Sequence, residues 1–234
     1  MNGSRRYAVA AGILLLVADV AGVLNVALSH VLRDSPDFIG AVPDHATELG
    51  LAALFVFVMG AAGAGVSVAL YPVLRQLNPA LAIGAVAFRT AEGVIWMACA
   101  GILMSIVSLG RQAVGAGDPA WYGNAARLLV DELDQINLAG LLVFSLGAIC
   151  YYYAFFSSRL LPRWLSGLGL LGTALWIGGV AWAIVAHSQD YSQFVAPLGL
   201  QELIFALWLI FAGFREPGLA SAPHSATSPA PAAA

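Results

Sequence analysis

Six stretches of this chain are apolar over a length that can cross a lipid bilayer, and that feature excludes most folds. A hydrocarbon core of about 30 Å needs about 20 residues of helix at about 1.5 Å each. Runs of that kind cover Tyr7 to Ser29, Ala46 to Tyr71, Ala80 to Leu109, Asp134 to Phe156, Trp164 to Ala186 and Phe194 to Phe214. Periodicity adds little, because these segments are apolar nearly all round, so length and lack of charge decide. Composition agrees: 60% of the residues are hydrophobic and 10% charged, where a soluble domain is about 25% charged. The expected fold is all-α, an integral membrane bundle of six transmembrane helices. Residues 1–215 form that domain, and residues 216–234, rich in Ala, Ser and Pro with nothing to bury, form a disordered cytoplasmic tail.

Orientation follows from the cations, all ten of which are arginine. With the N-terminus cytoplasmic, Arg5, Arg6, Arg75, Arg159, Arg163 and Arg215 face inward, while Arg33, Arg111 and Arg127 face outward. The positive-inside rule is then met with both termini cytoplasmic. Pro72 to Pro79 and Ser157 to Arg163 become short inner turns; Val31 to Asp44 and Gly110 to Leu133 become longer outer loops. Ser4-Arg5-Arg6-Tyr7 ahead of an apolar run has the look of a twin-arginine export signal, but no small-residue cleavage site follows, and an uncleaved first span is the better reading. A net charge of -3 gives no footprint for nucleic acid. Cys99 and Cys150 fall in opposite leaflets, which argues against a disulfide.

Helices in lipid adhere through close backbone approach, and two spans are built for it. Gly60-Ala-Ala-Gly-Ala-Gly65 lies in the second, and Gly167, Gly169, Gly172, Gly178 and Gly179 in the fifth. These faces serve packing within the chain or a homo-oligomer. Tyr7, Tyr71, Trp121, Tyr122, Tyr151 to Tyr153 and Trp164 fall near span ends as an interfacial belt, with Trp96, Trp176 and Trp208 deeper and packed.

Four ionisable residues reach mid-span depth. Arg89 and Glu92 lie roughly 13 to 18 Å into the third span, Glu202 about 12 Å into the sixth, and Asp19 near the middle of the first. A charge facing lipid there costs about 2.5 to 3.5 kcal/mol, so each should point inward to a partner. The i, i+3 spacing of Arg89 and Glu92 puts them on one face, close enough to pair. One arginine against Asp19, Glu92 and Glu202 leaves surplus acid, so if the four converge, at least one carboxyl holds a proton, or a cation or other ligand completes the balance. A second polar layer near the outer surface holds His45, Glu48 and Asn137, with Asn25, Asp134 and Gln135. His45-Ala-Thr-Glu48 has the spacing of two metal ligands on one turn, but no second paired motif accompanies it, so no metal and no cofactor is expected. Phosphate-loop, Ser-His-Asp and HExxH signatures are absent, which leaves an enzyme the least favoured class.

Four stretches together resemble one family. They are Ala69-Leu-Tyr-Pro-Val-Leu-Arg75 with Ala87-Phe-Arg-Thr-Ala-Glu-Gly93, Ser158-Arg-Leu-Leu-Pro-Arg-Trp-Leu165, and Leu200-Gln-Glu-Leu-Ile204 leading into Leu207-Trp-Leu-Ile-Phe-Ala-Gly-Phe214. Their order and spacing are similar to the bacterial membrane proteins grouped as domain of unknown function 4386. The resemblance covers about Arg5 to Arg215 and implies a polytopic protein of a bacterial cytoplasmic membrane. Its motifs fall on Arg89, Glu92, Arg159, Pro162, Arg163 and Glu202; Asp19 and the histidines lie outside them. The expected function is a small transporter or ligand-binding membrane protein with a charged midplane site for a small molecule or ion. The alternative is a structural or accessory protein whose buried charges only fix helix packing.

Overall fold

The computed structural model describes residues 3–34, 38–186 and 192–215, and among these its regular structure is helical throughout, without strands. The tail 216–234 and His187 lie outside the described residues. In chain order the helices are α1 (Gly3–Leu28), a short α2 (Val31–Asp34), a 3-10 turn at Phe38–Gly40, α3 (Ala46–Leu77), α4 (Pro79–Ala113), α5 (Pro119–Ser158), α6 (Arg163–Ala186) and α7 (Ser192–Phe211). Five of them, α1 and α3 to α6, are long and apolar enough to cross a membrane, and α7 adds a shorter apolar stretch, Pro197–Phe211. These helices mark the chain as a multi-pass membrane protein, and their outward faces stay apolar: Val23 is 69% exposed and Val94 60%.

The six long helices form a closed ring. Each packs on its chain neighbour, α1 on α3, α3 on α4 and so on to α7, and α7 returns to α1. The ring is closed by Arg5, whose guanidinium donates to the carbonyls of Leu209 at 3.0 Å, Ile210 at 2.6 Å and Phe211 at 3.0 Å. A helix C-terminus leaves such carbonyls without partners, and a cation there also meets the negative end of the macrodipole. Gly213, at φ 71°, turns the chain away and lies against the Arg5 side chain. The arginine of the export-like motif is therefore a clasp that holds the first turn of α1 to the last turn of α7.

Several helix ends differ from the expected span limits. The second span was expected to stop at Tyr71, yet α3 continues through Pro72 to Leu77. Proline removes one donor, which a membrane helix tolerates when neighbouring groups make up the loss. The turn to α4 is Asn78 alone: its N–H donates to Leu74 O at 2.9 Å, and its side chain accepts from Ala80 N at 3.0 Å and Leu81 N at 3.1 Å. One residue thus ends α3 and caps α4, with Pro79 pre-set for the first helical position.

The outer loop expected over Gly110 to Leu133 is instead mostly helix. Asp118 caps α5 by accepting from Trp121 N at 3.2 Å, and Pro119 opens the helix, so only Val114 to Asp118 connects α4 to α5. At 40 residues, α5 is about 60 Å long, twice a hydrocarbon core. Ala126 and Leu133 on its added length pack into a second apolar cluster with Phe38, Ile39, Val42 and the facing parts of α3 and α4. Near the other end of α5, Tyr151 and Tyr152, expected in an interfacial belt, are instead buried in the main core. That core gathers the other half of the ring, around Leu70, Phe155 and Phe205.

Candidate functional site

Between the two apolar clusters lies a charged layer, and its centre is Arg89. Arg89 Nη1 and Glu92 Oε2 are 2.8 Å apart, an i, i+3 ion pair on α4 with 3% and 7% of the side chains exposed. The two atoms face each other without hydrogen-bond alignment, and neither has a hydrogen-bond partner. Both side chains are anchored through their remaining atoms. Arg89 Nε donates to Gly63 O on α3 at 3.3 Å, and Trp96 Nε1, one turn along α4, donates to Glu92 Oε1 at 2.9 Å. The guanidinium carbon lies 4.8 Å from the centroid of the Phe144 ring on α5, a cation–π distance.

Glycines make the room. A Cβ at Gly63 would stand 2.9 Å from Arg89 Nη2, and one at Gly147 2.9 Å from Arg89 Cγ and 3.1 Å from its Cδ. One turn from Gly63, the backbones of α3 and α4 cross at Gly60 and Gly93, where a Cβ on either would come within 2.7 Å of the other's carbonyl oxygen. The small residues of Gly60 to Gly65 thus bring α4 close to α3 and leave a slot for a large cation.

Asp19 and Glu202 belong to the same layer but are held differently. Asp19 on α1 is in electrostatic reach of Arg89, and Glu202 on α7 is in reach of Asp19, Arg89 and Glu92. Contact is confined to the Arg89–Glu92 pair. Asp19 Oδ2 and Glu202 Oε1 are buried and have no hydrogen-bond partner. Beside them, Tyr152 Oη donates to Gln201 Oε1 at 2.7 Å and Gln201 Nε2 donates to Leu165 O at 3.2 Å, linking α5, α7 and α6. Tyr151, its ring 4.5 Å from that of Tyr152, is in electrostatic reach of Arg89, Glu92 and Glu202.

The second polar layer lies at the far end of the bundle, away from the Arg5 clasp, and does not join the first. Glu48 Oε2 accepts from His45 Nδ1 at 2.7 Å, and the His30 and His45 rings meet edge-on at 6.0 Å. Asn25 donates to Ala52 O at 3.1 Å, Arg33 pairs with Asp134 at 3.2 Å, and Asn137 Oδ1 accepts from the Cys99 thiol at 3.7 Å. Cys99 and Cys150 are both free thiols. Among the described residues no group of three or more His, Cys, Asp and Glu side chains is placed to hold a metal ion. Two open clefts of about 490 Å³ each lie near this end, one lined by Gln112, Trp121 and Tyr122, the other by Ile39, Pro43, Asn124 and Arg127.

Some members of the central layer escape sequence reasoning. Trp96 reads as a packing residue although it secures Glu92; the i, i+4 spacing of the two was the available signal. Phe144, Gly147, Tyr151 and Tyr152 carry no such signal, because they join the layer only through the docking of α5.

No curated protein and no solved structure matches the chain. The profile of the family described as domain of unknown function (DUF4386) matches residues 10–213, a segment that holds all four charged residues of the layer. The chain belongs to that family.

Proposed function

We propose that the protein is a small transporter or ligand-binding protein of the bacterial cytoplasmic membrane, in which the Asp19 and Glu202 side of the charged layer takes up ligand. The observation that carries this reading is the pair of buried carboxylate oxygens without partners, Asp19 Oδ2 and Glu202 Oε1, beside a cation already engaged elsewhere. A buried charge without a partner is costly, so its persistence calls for a function or a missing partner. Arg89 and Glu92 then act as a fixed frame, and Glu202 or Asp19 exchanges a proton or ligand. Six passes with cytoplasmic termini are part of the proposal: the Arg5 clasp joins the first and last long helices at one end, as an even number of crossings requires.

Thiol labelling tests whether the layer is reachable. Glu202→Cys and Asp19→Cys, each in a background carrying Cys99→Ala and Cys150→Ala, should react with a small hydrophilic methanethiosulfonate in folded protein. Protection of both positions until unfolding would sink the reading.

A structural role has one specific observation in its favour: Arg89 and Glu92 are 3% and 6% exposed and closed in on α3, α4 and α5. On that reading Glu202→Gln leaves growth and folding unchanged.

A further inference from the structure

We infer that the seam between α1 and α7 holds a small monovalent cation between Asp19 and Glu202, with sodium the ion of matching chemistry. The inference rests on the reading that this layer takes up ligand, and it names the ligand class.

Helix geometry brings the two carboxylates to one seam. Gly12 and Ala206 mark the close approach of α1 and α7, since a Cβ on Gly12 would be 2.7 Å from Ala206 O. Asp19 lies two turns beyond Gly12 on the same face of α1, and Glu202 one turn before Ala206 on the same face of α7. The helices run in opposite directions, so both acids stand on the same side of the crossing, above the point of tightest contact. The electrostatic effect of Asp19 on Glu202 agrees with that placement.

Charge fixes the sign of the ligand. Arg89 is paired with Glu92, donates to the Gly63 carbonyl and lies over the Phe144 ring, with Gly63 and Gly147 pressed against it, so its positive charge is already engaged away from the seam. What remains is two carboxylates, each with a buried, unpartnered oxygen. A monovalent cation, with a proton on one of the two acids, brings the layer to neutrality.

Donor type fixes the class. The acidic groups of the seam are two carboxyls, with the Tyr151 ring of α5 stacked on Phe205 of α7 nearby at 6.1 Å. Neither His nor Cys is among them, which disfavours the softer transition metals and suits a hard cation.

Purified full-length protein in detergent is unfolded thermally in sodium chloride and in choline chloride at equal ionic strength. The apparent Tm should rise with sodium along a saturating curve. In Glu202→Gln and Asp19→Asn the half-effect concentration should increase at least tenfold, or the effect should vanish, while His45→Ala keeps it. Equal Tm in the two salts, or a sodium effect that survives in both carboxyl variants, overturns the assignment. Labelling of Glu202→Cys without a sodium effect removes the cation and leaves the accessible layer standing. Absence of labelling removes the layer's role itself.

Discussion

The two sides of the charged layer obey different rules. On the α3/α4/α5 side, Arg89 and Glu92 neutralise each other at 2.8 Å and are anchored by Gly63 O and Trp96 Nε1. On the α1/α7 side, Asp19 and Glu202 also lie within the field of Arg89, yet each keeps a buried oxygen without a partner. Burial differs too, since Arg89 and Glu92 are buried while Asp19 and Glu202 are partly exposed. Saturation of partners sets the expected response to mutation: a saturated pair resists change because losing either member strands the other, whereas an unsaturated carboxyl loses nothing when it is neutralised.

That contrast can be broken at several points. Arg89→Ala strands Glu92 and should lower stability by about 3 to 5 kcal/mol, read as early loss of helicity in mixed-micelle denaturation. Trp96→Phe keeps the ring and removes the donor to Glu92, with an expected loss of about 1.5 to 3 kcal/mol in the same assay. Gly147→Ala pushes a methyl against Arg89 Cγ and Cδ; a cost of about 1 to 3 kcal/mol is the range for overpacking, and Gly101→Ala, where a Cβ meets nothing, is the matched control. Glu202→Gln has no hydrogen bond through Oε1 to lose, so its effect on stability should stay under about 1 kcal/mol while ligand uptake is abolished. A Glu202→Gln loss as large as that of Arg89→Ala would erase the distinction between the two sides.

Sequence reasoning places Arg89, Glu92, Glu202 and Asp19 at one depth, because depth is rise per residue counted along an apolar run. The pairing of Arg89 with Glu92 is equally legible, since i, i+3 neighbours share a face whatever surrounds them. What could not be read is which helix stands opposite. Gly147 and Phe144 lie far from Arg89 in sequence and reach it only because α5 packs on α4. The boundaries of α5 were missed for another reason: Asp131 and Glu132 make its first part look like a loop, whereas Asp118 and Pro119 supply a cap and an opening that outweigh polarity. The role of Arg5 as a cap was not legible, because a cation near an apolar run has the same appearance whatever it bonds, and its partners lie on a helix two hundred residues away.

By itself the sequence determined the helical class, the membrane environment and the depth of the charges, all of which follow from local length, polarity and rise. The tertiary structure decided which charges are spent and which are free. Partner saturation depends on distances between helices remote in the chain, and in this ring those distances are set by glycine contacts at Gly60, Gly93 and Gly12 and by the clasp of Arg5 on α7.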